Sequence, residues 1–252
     1  MIARPDGSAP SSPSPAVAQL RAAVSGLLSF AASQEQDLIA ALDPAEDGSP
    51  QCWAAVPLTA HIAQFKHQQV QRLEAIGAGV KPADFGEIDH RSEEVYRSYC
   101  GQLEAVTEAS LTATGALARA FAATGDDDLL DPARNQWLRG RMLWLQVIVR
   151  GFWHPCGHLA GYYLDHGQHD RAISMAALAV AAAADLDAPG PARGMASYNL
   201  ACAQARAGQL EAAVAAVAEA ICLNPDLRAN ASRDGDLAVL RASGRLAEML
   251  RD

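Results

Sequence analysis

The chain has 252 residues, half of them apolar, with 6% aromatic and 19% charged, which is enough for one large or two modest domains around a sizeable core. Alanine makes up about a fifth of it and β-branched residues never alternate over a long run. That excludes a β-sandwich or barrel and predicts an all-α protein of closely packed helices. The net charge of −9 opposes a nucleic-acid-binding role, because phosphates call for Lys/Arg patches.

Residues 1–14 hold Pro, Ser and Gly without an apolar h-region, the pattern of a disordered tail and not of a signal peptide. The longest unbroken apolar run, from Met142 to Val149, is about half of what a bilayer span needs, so no membrane partner is expected. Five cysteines (Cys52, Cys100, Cys156, Cys202, Cys222) form no CxxC pair. Their odd number predicts free thiols and a reducing, cytoplasmic setting.

In chain order, Val17, Leu20, Val24, Leu27, Ala31, Leu38 and Leu42 recur mostly at helical spacing and define a first helix. The segment DPAEDGSP from Asp43 ends it. Pro57 suits the first turn of a second helix, whose apolar side carries Leu58, His61, Ile62, Phe65 and Leu73. A third helix is expected from about His90 to Ala123, along Tyr96, Tyr99, Leu103, Val106, Ala113, Leu117 and Phe121. After the acidic loop TGDDDLLDP, Asp131 as cap and Pro132 in the first turn open a fourth helix marked by Trp137, Met142, Leu145, Ile148 and Val149. Four long helices with short connections predict an up-and-down four-helix bundle.

The last third repeats itself. HGQHDRAISMAALAV from His166 aligns with AGQLEAAVAAVAEAI from Ala207, each a Gly-Gln turn followed by an Ala-spaced helix. The second copy, with Leu200, Ala201, Gly208, Ala213, Ala220 and Pro225, resembles the tetratricopeptide repeat. The first keeps Leu159, Ala160, Tyr163, Gly167, Ala172 and Ala179, and its connection through Pro189 and Pro191 is longer than the family period. A closing helical segment comes last, with Asp236 expected as an N-cap. The expected division is a tail over 1–14, a bundle over 15–166 and helical repeats over 152–252, overlapping at a shared helix.

The candidate chemistry lies in the histidines. His154 and His158, four apart, point the same way from one helical turn and offer two imidazole ligands. His61, on the inward face of the second helix, is the best third ligand, since bundle cores are where such folds build metal sites. Pro155 lies between the pair and Gly151 just before it. If a helix restarts there, His154 becomes a capping residue and the i, i+4 geometry is lost. His67 falls on a different face from His61, and His166 and His169 flank a turn. His90 sits at a helix start. Cys156, two residues from each of the paired histidines, reads as a small buried hydrophobe.

Trp53 eight residues before His61-Ile62-Ala63, the pair His154 and His158, and about ninety residues between them resemble the DinB/YfiT-like family of four-helix bundles. The resemblance implies that His61, His154 and His158 bind one divalent ion, Zn²⁺ or Ni²⁺, with open positions for water or substrate. It also implies a thiol-dependent S-transferase that uses a low-molecular-weight thiol as co-substrate, and frequent homodimers. A metal with an open position would equally serve a hydrolase, with Glu93, Glu94 or Asp165 as acid/base helpers. The competing expectation is a non-catalytic adaptor, whose repeat groove takes a protein or peptide partner.

Overall fold

The structure, a computed structural model, describes residues 15–42, 50–85 and 101–250, with side chains described from residue 55 onward in the second helix. The tail over 1–14, the connection from Asp43, the side chains of Cys52 and Trp53, and His90, Glu93, Glu94, Tyr96, Tyr99 and Cys100 lie outside what the structure describes. Every regular element among the described residues is helical.

Helix α1 (Pro15–Ala40) buries Val17, Val24, Leu28, Ala31 and Leu38, together with one carboxylate, Glu35. Contrary to the expectation from unbroken apolar runs, it holds an 18-residue window of mean hydropathy 1.3, long and apolar enough by length and composition to cross a membrane. In the fold 22% of that window is buried, and the helix packs on other helices of the chain. Helix α2 (Pro50–Gly77) begins well before Pro57, which stands inside it and not in its first turn. Helix α3 (Leu103–Ala123) packs on both and buries Leu103, Val106, Ser110, Ala113, Leu117 and Phe121 at helical spacing. It does not run unbroken from His90, because Gly101 sits at φ 75°, a left-handed conformation that interrupts a right-handed helix. Arg21 of α1 closes the far end of α3: its guanidinium donates to the carbonyls of Phe121 (3.0 Å) and Thr124 (2.6 Å) and pairs with Asp126. Terminal carbonyls of a helix lack intrahelical donors, so this arginine supplies them.

The acidic segment expected as a loop forms a short helix, α4 (Asp126–Leu130). Asp131 does cap and Pro132 does open a turn, the Asp131 carboxylate accepting from the Ala133 N–H at 2.8 Å. The element they open is a 3-10 segment, Pro132–Leu138, ended by Arg139 at φ 54°. The fourth long helix starts later, and Trp137 is not part of it. It is a continuous rod of α5 (Leu143–Ile148), one wide π turn (Val149–Trp153) and α6 (His154–Asp165).

The wide turn has an identifiable cause. Pro155 cannot donate to the preceding turn and its ring crowds the carbonyl four residues back. The chain responds with an i+5 bond, His154 N–H donating to the Val149 carbonyl, and the rod continues past the proline. At Gly151 the widened turn comes so close to α1 and α3 that a Cβ would overlap Leu28 and lie 2.8 Å from Leu117 Cδ2.

Helices α7 (His169–Asp185), α8 (Gly190–Arg206) and α9 (Leu210–Leu223) each pack on the one before, and α7 packs on α6. Gly167 (φ 71°) and Gly208 (φ 79°) make the two matching Gly-Gln turns, where an L side chain would be strained. The α7–α8 connection is short, and Pro191 belongs to the first turn of α8. One core runs from α1 through α7 to Ala196, and a second gathers Tyr198, Ala201 and Ala205 with Ala213, Val217, Ala220 and the closing leucines. The closing segment comprises α10 (Leu227–Ala231), a 3-10 turn Gly235–Leu237, α11 (Ala238–Ala242) and α12 (Arg245–Met249). Its cap is Asp234, which accepts from the Asp236 N–H at 3.0 Å, so the expectation of Asp236 is corrected by two residues.

Candidate metal centre

Helix α2 and the rod pack against one another, and three imidazoles meet between them. His61 projects from α2 and is buried at 4% exposure; His154 and His158 project from α6 and are half-buried. Nε2 of His154 lies 3.2 Å from Nε2 of His61 and 3.0 Å from Nε2 of His158. Ligands at 2.0–2.1 Å on a tetrahedral ion are separated by about 3.3 Å; the two distances from His154 are close to that value, and the three ligand atoms all lie within 4.8 Å of one another. The three nitrogens could hold a metal ion. The continuous rod also resolves the effect of Pro155: His154 keeps its helical relation to His158.

Phe65, one turn beyond His61, walls the site. Its ring stacks on His154 at 4.3 Å and lies 4.6 Å from His61. An apolar face against imidazoles lowers the local dielectric and strengthens whatever charge interaction the nitrogens make. Cys156 is not part of the site. It points elsewhere into the core at 2% exposure, and burial, with Glu35 nearby, pushes its thiol up to about 12.

The other histidines stay apart from the triad. His67 is exposed and bonds Gln71 within α2, while the His166 ring meets the Tyr162 carbonyl and His169 is exposed. Asp165, one of the acid/base candidates, forms an ion pair with Arg206. A second grouping, Cys202 with Asp234 and Asp236, is close enough to share an ion. Its chemistry is poor for one: Asp234 is occupied by the Tyr198 hydroxyl at 2.9 Å and by its capping role, and burial holds the Cys202 thiol in its protonated form.

No protein-family model, curated protein or solved structure matches the chain.

Two sets of polar residues near this site escaped the sequence patterns. Lys66 and Glu35 form a buried ion pair at 2.5 Å, completed by Thr114 and Ser110 at 2.9 and 2.8 Å. Both charges are almost wholly enclosed. The second set continues the stripe of α2 beyond His61 and Phe65, where four- and three-residue steps lead to Gln69 and Arg72. Gln69 is fully buried and Arg72 is 8% exposed. Across from them Arg150 lies over the Phe65 ring at 4.5 Å. The available signal was the appearance of polar residues where the apolar spacing of α2 called for Leu or Val.

Two turns along α6 from His158, a cavity of about 260 Å³ opens between the end of α1 and the α6–α7 turn, lined by Leu38, Tyr162, Tyr163 and Arg171 among others. It is separate from the triad.

Proposed function

We propose that this chain is a divalent-metal protein of DinB-like type, whose four long helices form a metal-bearing bundle and whose C-terminal hairpins are tetratricopeptide-like. The observation that carries the reading is the meeting of three imidazoles from two different helices, with ligand atoms all within 4.8 Å of one another and Nε2 of His154 at 3.2 and 3.0 Å from the other two. Three neutral imidazoles with a position left open are the donor set of catalytic zinc sites, and nickel accepts the same ligands.

A bound ion would lower the pKa of a coordinated thiol or water. The remaining work falls to the chain. His61, His154 and His158 would hold the ion at the boundary of the core, and Phe65, stacked on His154 and close to His61, would shield one side from water. That apolar wall supports thiol-dependent transfer over hydrolysis. A metal-held thiolate is itself a strong nucleophile and gains from the exclusion of water, which is the reactant that hydrolysis must admit. The proposed reaction is therefore S-transfer from a low-molecular-weight thiol to a small electrophile, in the cytoplasm.

A second reading, a peptide-binding adaptor, is favoured by the separate core of the C-terminal hairpins, the arrangement of a module that presents its own surface.

Elemental analysis of the purified chain and of a His158→Ala variant tests the first reading. About one Zn or Ni per chain, lost in the variant, supports it. A protein that stays metal-free after supplementation overturns it and leaves the adaptor.

A further inference from the structure

Beside the metal centre the molecule holds a set of buried polar groups that its own residues leave unanswered. Nη1 of Arg72, Nε of Arg150 and both carboxamide atoms of Gln69 are shut away from solvent without a hydrogen-bond partner. Neither arginine forms an ion pair with a described residue; Asp84, on the exposed segment after α2, acts on Arg72 only at longer range. A buried guanidinium without a counter-charge is a costly thing for a fold to keep. Here buried Arg72 and half-buried Arg150 lie within electrostatic reach of one another, with Arg141 adding a third positive charge.

Their posture is equally informative. Arg72 lies over the rings of Phe85 at 4.9 Å and Trp137 at 5.8 Å, and Arg150 lies over Phe65. Aromatic faces hold the flat guanidinium planes. One nitrogen of each fork, Nη1 of Arg72 and Nε of Arg150, has no hydrogen-bond partner there, and such a fork matches the oxygens of a carboxylate or phosphate. Phe65 also stacks on His154, so one ring is shared by Arg150 and the imidazole triad.

We propose that Arg72 and Arg150, with Gln69 beside them, form a subsite for the carboxylate or phosphate group of a small-molecule ligand whose other end reaches the metal centre. The site then recognises a two-ended molecule. The anion is gripped by two stacked guanidiniums, and a thiol or electrophilic carbon is delivered past Phe65 to the imidazoles. The second half of this statement rests on the metal reading; the anion subsite stands on its own residues.

Calorimetric titration at low ionic strength tests it, with sodium succinate and inorganic phosphate as separate probes. Each is added to the chelator-treated full chain and to the zinc-supplemented chain. The metal-free wild type is expected to bind at least one probe at millimolar concentration, and the two titrations show which oxyanion is preferred. Arg72→Met and Arg150→Met should each weaken that binding about tenfold or more, with zinc binding unchanged. Arg72→Met should also raise Tm in the absence of anion, since it removes an unpaired buried charge; a purely structural arginine would lower it. Arg72→Lys should bind the anion less well than wild type, because an ammonium lacks the fork.

No binding to the folded wild type in either form overturns the subsite. So does binding seen only with zinc and undiminished in both methionine variants, which would make the anion a metal ligand. Anion binding without any zinc binding upholds the subsite and overturns the metal reading alone.

Discussion

Nε2 of His154 and Nε2 of His158 lie 3.0 Å apart across one helical turn that has Pro155 inside it. A proline at that place ordinarily kinks or ends a helix. The wide turn just before it takes up the misfit, and π turns of this kind occur often where helices carry function.

That geometry makes metal binding a stability term. Zinc at about one hundred times its dissociation constant should stabilise the fold by about 2.7 kcal/mol, seen as a higher Tm that a chelator reverses. His61→Ala, His154→Ala and His158→Ala should each abolish most of the shift. The shift should also fade as pH falls through about 6.5, where protons compete with metal for imidazole nitrogens.

Gly151→Ala tests the close approach of the wide turn to its neighbours. A methyl there meets Leu28 and Leu117, both enclosed in the core, so neither can move aside freely. Overpacking of this sort costs about 1–3 kcal/mol. Urea denaturation should show that loss, and zinc affinity should fall with it because the turn sets the position of His154.

The Lys66–Glu35 pair should respond asymmetrically. Lys66→Met leaves an uncompensated buried carboxylate and should cost about 3–5 kcal/mol, whereas the double variant Glu35→Leu/Lys66→Met should recover most of it. Equal losses in the single and double variants would mean that the packing around the pair, and not its charge, is what matters.

Cys156 gives the fold an alkaline limit. Its folded-state thiol titrates at about 12, raised by burial, while an unfolded chain ionises it several units lower. The raised value therefore has no effect on stability in neutral solution. Stability is lost progressively as pH rises from the unfolded value toward the folded one, because only the unfolded state gains thiolate. Urea midpoints compared at about pH 8 and about pH 11 should fall more steeply for wild type than for Cys156→Ala. In the native state Cys156 should resist thiol reagents that modify the exposed Cys222.

The three metal-candidate histidines were legible because each obeyed a helical rule: His61 stood on an apolar face, and His154 and His158 stood one turn apart. The alanine spacing around Gly167 and Gly208 was legible for the same reason, since small residues at fixed steps demand close helices. What was hidden is what pattern cannot carry. How the rod passes Pro155 involves the close approach at Gly151, where α1 and α3, from distant parts of the chain, leave no space for a side chain. Lys66, Gln69 and Arg72 are polar residues that spacing alone does not pair, and only the packing of Glu35, Phe85, Trp137 and Arg150 from other parts of the chain shows the partners of Lys66 and Arg72. The start of α3 shifted because Gly101 adopts a left-handed conformation that no apolar stripe encodes.

Helix α6 carries two of the imidazoles and also packs against α7, the first helix of the C-terminal hairpins. A single rod thus serves as the floor of the candidate metal centre and as the strut against which the stacked helices pack. If an ion at one end and a partner at the other each shift that rod, linkage requires each to change the affinity of the other by the same factor.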